Sequence, residues 1–430
     1  MAERLSVLLL GFGSFFILVR TLTKEEYGIW SLFLSITTLI ELARNGLIQN
    51  ALIKHLATAD DDTSKQIITS SLVLNVILTV ISVCALLFLS PLLAEWWHTP
   101  VLVPMFRYYV LTTIALIFFS QFNFVQQAKM DFKGVFFSNL IRQALFFAYV
   151  LYFFIAGKNM DLVQMVNFQT ACAIVGACSS IFFVRSYISF DKKISWMWVS
   201  QLFHYGKYVF GTSVSGVLLK TADQMLLGNL RTVAEVGSYN AAARISNLFE
   251  VPVNSISIVV FPQSSKRIHT EGMHVVKDLY EKSVAAMLSI VVPGVIFVCL
   301  IPKLVLLIMT GSEYTDMSFI LQLIVIQNLF LPYLRQFGTI MDAVGYPQAN
   351  FYLIVVNAVL NVGVNYVMIS LYGIEGAAWG SLIVFGIFTT FVISFMKRKF
   401  DISMSNTFRY TLAFYPQIWQ MLLSKVRKSK

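Results

Sequence analysis

The 430-residue chain is 57% hydrophobic and only 13% charged, with a net charge of +10 and a mean hydropathy of +0.73. An average soluble domain carries about 25% charged residues, so this chain lacks the polar residues that a soluble surface requires. The composition excludes a soluble globular protein. It predicts an all-α polytopic membrane protein, because helices satisfy their own backbone hydrogen bonds in lipid.

Apolar segments of membrane-spanning length follow one another along almost the whole chain. A hydrocarbon core of about 30 Å is crossed by about 20 residues in a helix. This length predicts about twelve transmembrane helices, at approximately 5–21, 27–47, 67–89, 101–125, 134–156, 161–184, 207–230, 237–261, 279–301, 316–338, 347–370 and 375–396. Pro252, Pro293 and Pro332 lie inside three of these spans and predict kinks or breaks there.

The distribution of basic residues predicts the orientation in the membrane. With the amino terminus inside, nineteen Lys and Arg residues lie on the inward side and five on the outward side. This asymmetry places both termini in the cytoplasm, and it explains the positive charge without a nucleic-acid partner. An amphipathic cytoplasmic linker is predicted at 191–206, where lysines occur together with Trp196, Trp198 and Phe203. The basic tail 397–430 is expected on the anionic inner leaflet.

An internal repeat relates the two halves of the chain. Residues 23–45 and 232–254 share seven identities in 23 positions at a constant offset of 209. The matches include polar pairs and one glycine pair: Thr23 with Thr232, Glu26 with Glu235, Gly28 with Gly237, Glu41 with Glu250 and Asn45 with Asn254. An offset of six spans predicts two six-helix lobes, 1–190 and 207–396, in parallel orientation. Such lobes are typical of transporters that handle their substrate between the halves.

Ionisable residues interrupt the predicted spans. Seven cations and five anions lie within spans or at their ends: Arg20, Glu41, Arg44, Arg107, Arg142, Lys220, Asp223, Arg244, Glu250, Arg335, Asp342 and Glu375. Each charge costs about 2.5–3.5 kcal/mol at a helix centre, so we expect most of them to face a water-filled cavity. A surplus of guanidinium groups there favours phosphate, whose oxygens the planar fork binds in pairs.

Some of these charges are better candidates than others. Arg44, Arg142 and Arg244 have polar neighbours, and Asn247 shares the polar stripe of Arg244. Arg107 lies one turn into its helix and either faces the cavity or reaches the interface. Lys220 and Asp223 share a helical face, so they form either a structural ion pair or part of a functional site. The asparagines 357, 361 and 365 line one face and serve either interhelical hydrogen bonding or substrate contact.

Three stretches resemble the Wzx-type polysaccharide flippases of the multidrug/oligosaccharidyl-lipid/polysaccharide (MOP) exporter superfamily. They are RTLTKEEYGIWSL, KTADQMLLGNLRTVAEVGSYNAAARI and NAVLNVGVNYVMISLYGIEGAAWGSLI. The resemblance implies a MATE-like pair of lobes around a cationic cavity. It also implies that the protein moves undecaprenyl-diphosphate-linked oligosaccharides across the bacterial inner membrane. The substrate-cavity residues implied are Arg44, Arg142, Lys220, Arg244, Asn247 and Arg107. Asp223, Glu41 and Glu250 would be counter-charges or coupling groups, and a polysaccharide polymerase and other assembly proteins are expected partners.

Two other functions remain open at this point. A cation-coupled multidrug exporter of the same fold would prefer a cavity with uncompensated carboxylates. A polysaccharide polymerase or ligase would need a large outward loop, and the predicted outward loops are short. The sequence has no phosphate-binding glycine loop and no Ser-His-Asp set, so we expect a transporter rather than an enzyme. Its four cysteines and five histidines predict neither a metal site nor a cofactor.

Overall fold

The computed structural model describes residues 2–57, 59–191 and 193–428, and every regular element in these ranges is helical. The first seven helices are α1 Ala2–Thr21, α2 Lys24–Leu56, α3 Asp61–Trp96, α4 Leu102–Ala128, α5 Phe132–Ala156, α6 Leu162–Val184 and α7 Trp196–Leu230. The next are α8 Val233–Ser246, a 3₁₀ helix Asn247–Phe249, α9 Glu250–Glu271, α10 Val275–Leu300, α11 Pro302–Met309 and a 3₁₀ helix Ser312–Met317. The last are α12 Ser318–Gln327, α13 Leu331–Val344, α14 Pro347–Phe400 and α15 Met404–Lys428.

The chain forms two compact units. Unit 1 comprises Met1–Thr221 and Leu227–Gly237, and unit 2 comprises Ala222–Leu226 and Ser238–Lys430. The predicted linker begins outside regular structure, but from Trp196 it belongs to α7, and the predicted tail contains α15, which packs on α10. Lys192 of the linker and Lys430 of the tail lie outside the described residues. The lobe boundaries read from the repeat stay a prediction.

Each unit has an apolar core built where long helices cross. In unit 1, Leu52, Ile67 and Val125 of α2, α3 and α4 are fully buried with Leu202 of α7. In unit 2 the corresponding cluster joins α10, α13 and α14, where Val284, Ile340 and Val392 are fully buried. Close packing of this kind holds helices together in a medium that is as apolar as their side chains.

The repeated threonine and glutamate build the same helix start twice. Before α2, the Thr23 hydroxyl accepts a hydrogen bond from the Glu26 N–H, and the Glu26 carboxylate accepts one from the Thr23 N–H, which completes a capping box. Before α8, the Glu235 N–H donates to the Thr232 hydroxyl at 3.2 Å. The polar identities of the repeat therefore define where α2 and α8 begin.

The repeated glycines bring these two helix starts into backbone contact. A Cβ atom added at Gly28 would lie 1.9 Å from the Val233 carbonyl oxygen, and one added at Gly237 would lie 2.1 Å from the Lys24 carbonyl oxygen. Lys24 and Gly28 correspond to Val233 and Gly237 at the offset of the repeat. The contact is therefore reciprocal, as two segments related by a two-fold axis require, and only glycine permits it.

The prolines act differently in the three spans where they predict breaks. Pro252 lies just after the 3₁₀ segment Asn247–Phe249, which separates α8 from α9. The helix breaks there because a proline nitrogen has no hydrogen to donate to the preceding turn. Pro332 lies in the first turn of α13, after α12 has ended at Gln327. Pro293, in contrast, lies within a continuous α10. A single lost hydrogen bond is tolerated in a packed membrane helix, so α10 is not broken there, and the alternative of a kink stays a prediction.

Nine helices in the described residues are long and apolar enough to cross a membrane, and the all-α membrane fold is confirmed. The count of twelve is not, for three reasons: α7 is not among the nine helices, and the other two reasons concern α1 and α14. The apolar part of α1, Leu9–Thr21, is short. The 54 residues of α14 contain two predicted spans, which Gly373 separates with φ 62° and ψ −138°, a conformation that favours glycine.

Candidate functional site

A charged cluster lies among α2, α3 and α4 of unit 1. Arg44 is only 3% exposed, and its guanidinium donates hydrogen bonds to the Thr79 hydroxyl at 3.2 Å and to the Thr113 and Leu116 carbonyl oxygens at 3.2 and 3.4 Å. Glu41, one turn earlier on α2, attracts the same guanidinium and accepts a hydrogen bond from the Tyr109 hydroxyl. In this conformation Arg44 ties three helices together.

Arg142 of α5 borders this cluster with part of its donor capacity unused. Its guanidinium lies over the Phe119 ring at 4.8 Å, and its charge acts on the Tyr109 hydroxyl. A Cβ atom added at Gly176 of α6 would lie 3.3 Å from the Arg142 Cβ, so the glycine lets α5 and α6 pack closely at this point. The Arg142 Nε is buried and has no hydrogen-bond partner among the described residues. A buried cationic N–H without an acceptor favours binding of an anion or water.

The other predicted cations of unit 1 are not brought into this cluster. Arg107 lies on the exposed face of α4, although Tyr109, two residues later, is 3% exposed and part of the cluster. Lys220 is exposed on α7. Of the four substrate-cavity cations predicted in unit 1, therefore, Arg44 and Arg142 lie together, while Arg107 and Lys220 lie at the surface of the unit.

A buried polar network in unit 2 begins at Asp223. This residue is 7% exposed, and its carboxylate accepts hydrogen bonds from the Tyr239 hydroxyl at 2.6 Å and from the Gln224 N–H at 2.8 Å. Asn240 donates to the Gln224 side-chain oxygen at 2.8 Å. Asp223 thus has a tyrosine partner, and it belongs to unit 2 whereas Lys220 belongs to unit 1.

The network continues into both halves of α14. Ser381 hydrogen-bonds the Tyr239 hydroxyl, and Asn365 donates to the Ser381 hydroxyl at 3.2 Å and to the Asn361 side-chain oxygen at 3.0 Å. Asn361 and Asn365 are fully buried, and Asn365 joins its own half of α14, through Asn361, to the other half, through Ser381. The Asn361 Nδ2 and Asn365 Oδ1 atoms still lack partners within the described part of the chain. The network therefore has polar capacity to spare.

Sequence reasoning missed Tyr239 and Ser381 as members of this network. A signal for Tyr239 was present, because α7 and α8 are joined by a very short turn after Leu230. Such a hairpin places residues at similar distances from the turn side by side, as it does Asp223 with Tyr239 and Gln224 with Asn240. Ser381 had no such signal, since its approach depends on how α14 folds back at Gly373.

Arg244, Asn247 and Glu250 surround the break between α8 and α9. Arg244 ends α8 and Asn247 begins the 3₁₀ segment, and both side chains are exposed. Glu250, which begins α9, is partly exposed. Among the described residues, Arg244 makes no hydrogen bond or ion pair with a protein group. A helix break within an apolar span thus presents an uncompensated cation beside an amide.

The buried position of Arg44 leads to a first prediction. We expect Arg44→Ala to lower the free energy of unfolding by about 3 kcal/mol, because it removes three interhelical hydrogen bonds and leaves Glu41 without its counter-charge. Arg107→Ala is the matched control, since Arg107 is exposed in the same unit, and it should change stability by less than about 0.5 kcal/mol. Thermal unfolding of the two purified variants in detergent measures the difference. Equal midpoints would show that Arg44 does not fasten these helices.

The sequence matches the family model of polysaccharide biosynthesis proteins over residues 17–319. It is 24% identical over 216 residues to the probable low-salt glycan biosynthesis flippase Agl15 of Haloferax volcanii, which covers 49% of this chain and 46% of that protein. It is also 24% identical over 220 residues to the uncharacterized membrane protein MJ1068 of Methanocaldococcus jannaschii, covering 51% and 43%. The chain spans about half the length of these curated relatives in the match.

Solved structures resemble the fold over nearly its full length. An inward-facing multidrug resistance MATE transporter of the MOP superfamily superposes with a TM-score of 0.78 at 14% identity, covering 92% of this chain and 94% of that one. The lipid II flippase MurJ in an inward closed conformation superposes with a TM-score of 0.77 at 12% identity, covering 98% of this chain and 92% of that one. At such identities the likeness concerns the fold alone. The all-α, MATE-like fold predicted from the sequence is confirmed.

Proposed function

Because the chain belongs to the family of polysaccharide biosynthesis proteins, we propose that it is a flippase for lipid-linked oligosaccharides. Its substrate is an undecaprenyl-diphosphate-linked repeat unit, which it moves across the bacterial inner membrane by alternating access through a cationic cavity. The product serves the assembly of a surface polysaccharide, and both termini are cytoplasmic. A polysaccharide polymerase and other assembly proteins are its expected partners.

The observation that carries this proposal is Arg244. Its guanidinium is exposed beside Asn247 at a helix break, in a segment that is otherwise apolar enough to cross the membrane. An intramembrane cation without a protein counter-charge is costly unless a ligand or water stabilises it. A diphosphate offers several anionic oxygens, which a guanidinium binds in pairs. The similarity to Agl15, a probable low-salt glycan biosynthesis flippase, supports a glycan substrate.

The remaining predicted residues take different roles in this proposal. Arg142, with its unpaired Nε, binds diphosphate or sugar from unit 1, and Arg44 holds Glu41 in place behind it. Lys220 and Arg107 are exposed and meet the substrate only in passage. Glu41 acts as the counter-charge of Arg44. Asp223 and Glu250 are the coupling groups, and Asp223 is the stronger candidate, because its carboxylate is buried in a polar network that reaches three helices.

A second prediction concerns Asp223. We expect Asp223→Asn to reduce gradient-driven transport at least about tenfold while the protein keeps its fold, because asparagine can still accept the Tyr239 hydrogen bond but carries no charge. The matched control is Glu313→Gln, an exposed carboxylate in a 3₁₀ helix. Transport into vesicles with and without an imposed proton or sodium gradient measures the effect. If the Asp223→Asn protein responds to the gradient as the wild type does, Asp223 is not the coupling group.

A cation-coupled multidrug exporter is the second candidate, and the buried carboxylate of Asp223 beside Tyr239 favours it. Cells of the native host in which the gene is disrupted distinguish the two. The flippase proposal expects cytoplasmic-facing lipid-linked repeat units to accumulate and the surface polymer to disappear. The exporter instead expects unchanged glycans and greater sensitivity to cationic dyes. Unchanged glycans would therefore overturn the proposed function.

A further inference from the structure

An apolar groove of about 460 Å³ opens on unit 2 between the broken α8–α9 segment, α10 and α11. Every residue that lines it is apolar, including Ile245, Leu248, Pro252, Gly294, Phe297 and Leu304. Phe297 is 58% exposed and Leu304 is 48% exposed, so the groove is open along one side. Its volume lies within the range of roughly 300–1,000 Å³ that is usual for ligand sites.

The groove depends on a glycine and on the helix break. A Cβ atom at Gly294 would lie 2.6 Å from the Phe249 ring, so the absence of a side chain there lets α10 approach the 3₁₀ segment. At the break, one segment presents apolar residues to the groove and polar residues to its exposed side. Ile245 and Leu248 face the groove, and the residues directly before them, Arg244 and Asn247, are exposed polar groups.

The chemistry of the groove restricts its occupant. It offers no hydrogen-bond donor or acceptor from a side chain, so a peptide segment placed there would leave its backbone polar groups unsatisfied, which is unfavourable in an apolar medium. A hydrocarbon chain carries no such cost. The cation next to the groove complements an anionic group at the end of that chain, so the adjacent sites together fit an anionic amphiphile.

We propose that this groove binds the polyprenyl chain of the lipid-linked glycan, in the part of the chain next to the diphosphate. The inference rests on the proposed function and deepens it: Arg244 and Asn247 hold the diphosphate, and the chain leaves this site along Ile245 and Leu248 instead of entering bulk lipid directly. A substrate is then recognised by its lipid as well as by its glycan. An anionic phospholipid has related chemistry, and the experiment separates the two.

Two leucines of α11 provide a matched pair of variants. Leu304 lines the groove and is 48% exposed, whereas Leu307 is 47% exposed on the same helix and does not line it. Tryptophan at position 304 fills the groove, and tryptophan at position 307 adds the same bulk elsewhere. Ile308→Trp, at a groove position that is 56% exposed, serves as a second blocking variant if Leu304→Trp does not fold.

The full-length protein in vesicles is photolabelled with a polyprenyl-diphosphate glycan that carries a diazirine near the diphosphate end of its chain. We expect labelled peptides within 245–252 and 290–309, with labelling and transport reduced about tenfold by Leu304→Trp, or about 1.4 kcal/mol, and unchanged by Leu307→Trp. Equal labelling of the two variants would overturn the inference. So would a diazirine-bearing anionic phospholipid that labels the groove equally and displaces the polyprenyl probe.

The same experiment separates this inference from the proposed function. Wild-type transport with equal behaviour of the two leucine variants defeats the groove and leaves the flippase intact. Selective labelling of the groove by the polyprenyl probe, without any transport by the wild-type protein, supports chain binding and defeats the flippase.

Discussion

We expect alanine at Gly28 or at Gly237 to destabilise the protein and to abolish transport. The added Cβ atom would lie 1.9 Å from the Val233 carbonyl oxygen in the first case and 2.1 Å from the Lys24 carbonyl oxygen in the second. The obstacle is backbone, which cannot rotate away as a side chain can, so the starts of α2 and α8 must separate. Overpacking of this kind costs about 1–3 kcal/mol, and more where the backbone is rigid. Thermal unfolding and vesicle transport of both variants measure the effect.

Gly216 provides the control for this prediction. It lies in the helical interior of α7, and an added Cβ atom meets nothing within 4 Å. Alanine there should be neutral or stabilising by up to about 1 kcal/mol, since alanine is the better helix former. The three substitutions are chemically identical and differ only in their surroundings. A Gly28→Ala protein as stable as the Gly216→Ala protein would contradict the close approach of α2 and α8.

The second large effect is expected at Arg244. Arg244→Ala should reduce transport about 10- to 150-fold, because hydrogen bonds to charged groups contribute about 1.5–3 kcal/mol and each 1.4 kcal/mol is tenfold. Stability should not change, since the side chain is exposed and bonds no described protein group. Arg244→Lys should fall between the two, because an ammonium keeps the charge but loses the paired geometry.

Lys303→Ala is the matched control for Arg244. Lys303 is an exposed cation of the same unit, at the start of α11, and it stands outside the predicted cavity set. Initial rates for the three variants and the wild type, at equal protein in the vesicles, give the comparison. An Arg244→Ala protein as active as Lys303→Ala would remove Arg244 from the substrate path.

The repeat marked residues whose roles the structure explains, while the two lobes read from it stay a prediction. Its identities mark positions where the backbone needs a particular residue: Thr23 and Glu26 cap α2, and Gly28 permits contact with α8. The cap is a local requirement that a sequence shows directly, whereas the glycine contact joins distant parts of the chain. Membrane spans are also legible, because lipid demands about 20 apolar residues whatever the fold.

The roles of the charged residues were less predictable, because they depend on the relative rotation of neighbouring helices. Arg44 and Arg107 are both cations inside predicted spans, yet one is 3% exposed with three hydrogen bonds and the other is exposed. The spacing made Lys220 on the same helix a candidate ion-pair partner of Asp223. In the structure, Asp223 accepts a hydrogen bond from the Tyr239 hydroxyl on the next helix. Spacing along one helix defines a face but does not define what that face meets.

Transport by the purified wild-type protein is the most direct test of the central claim. A fluorescent undecaprenyl-diphosphate glycan would be placed in both leaflets of sealed vesicles, and a membrane-impermeant quencher added outside would report how fast the inner pool reaches the outer leaflet. The account predicts rapid loss of the protected pool with the diphosphate probe. It predicts much slower loss with an uncharged polyprenyl glycan that lacks the diphosphate. Equal rates for the two probes, or a protected pool that persists as in protein-free vesicles, would contradict it.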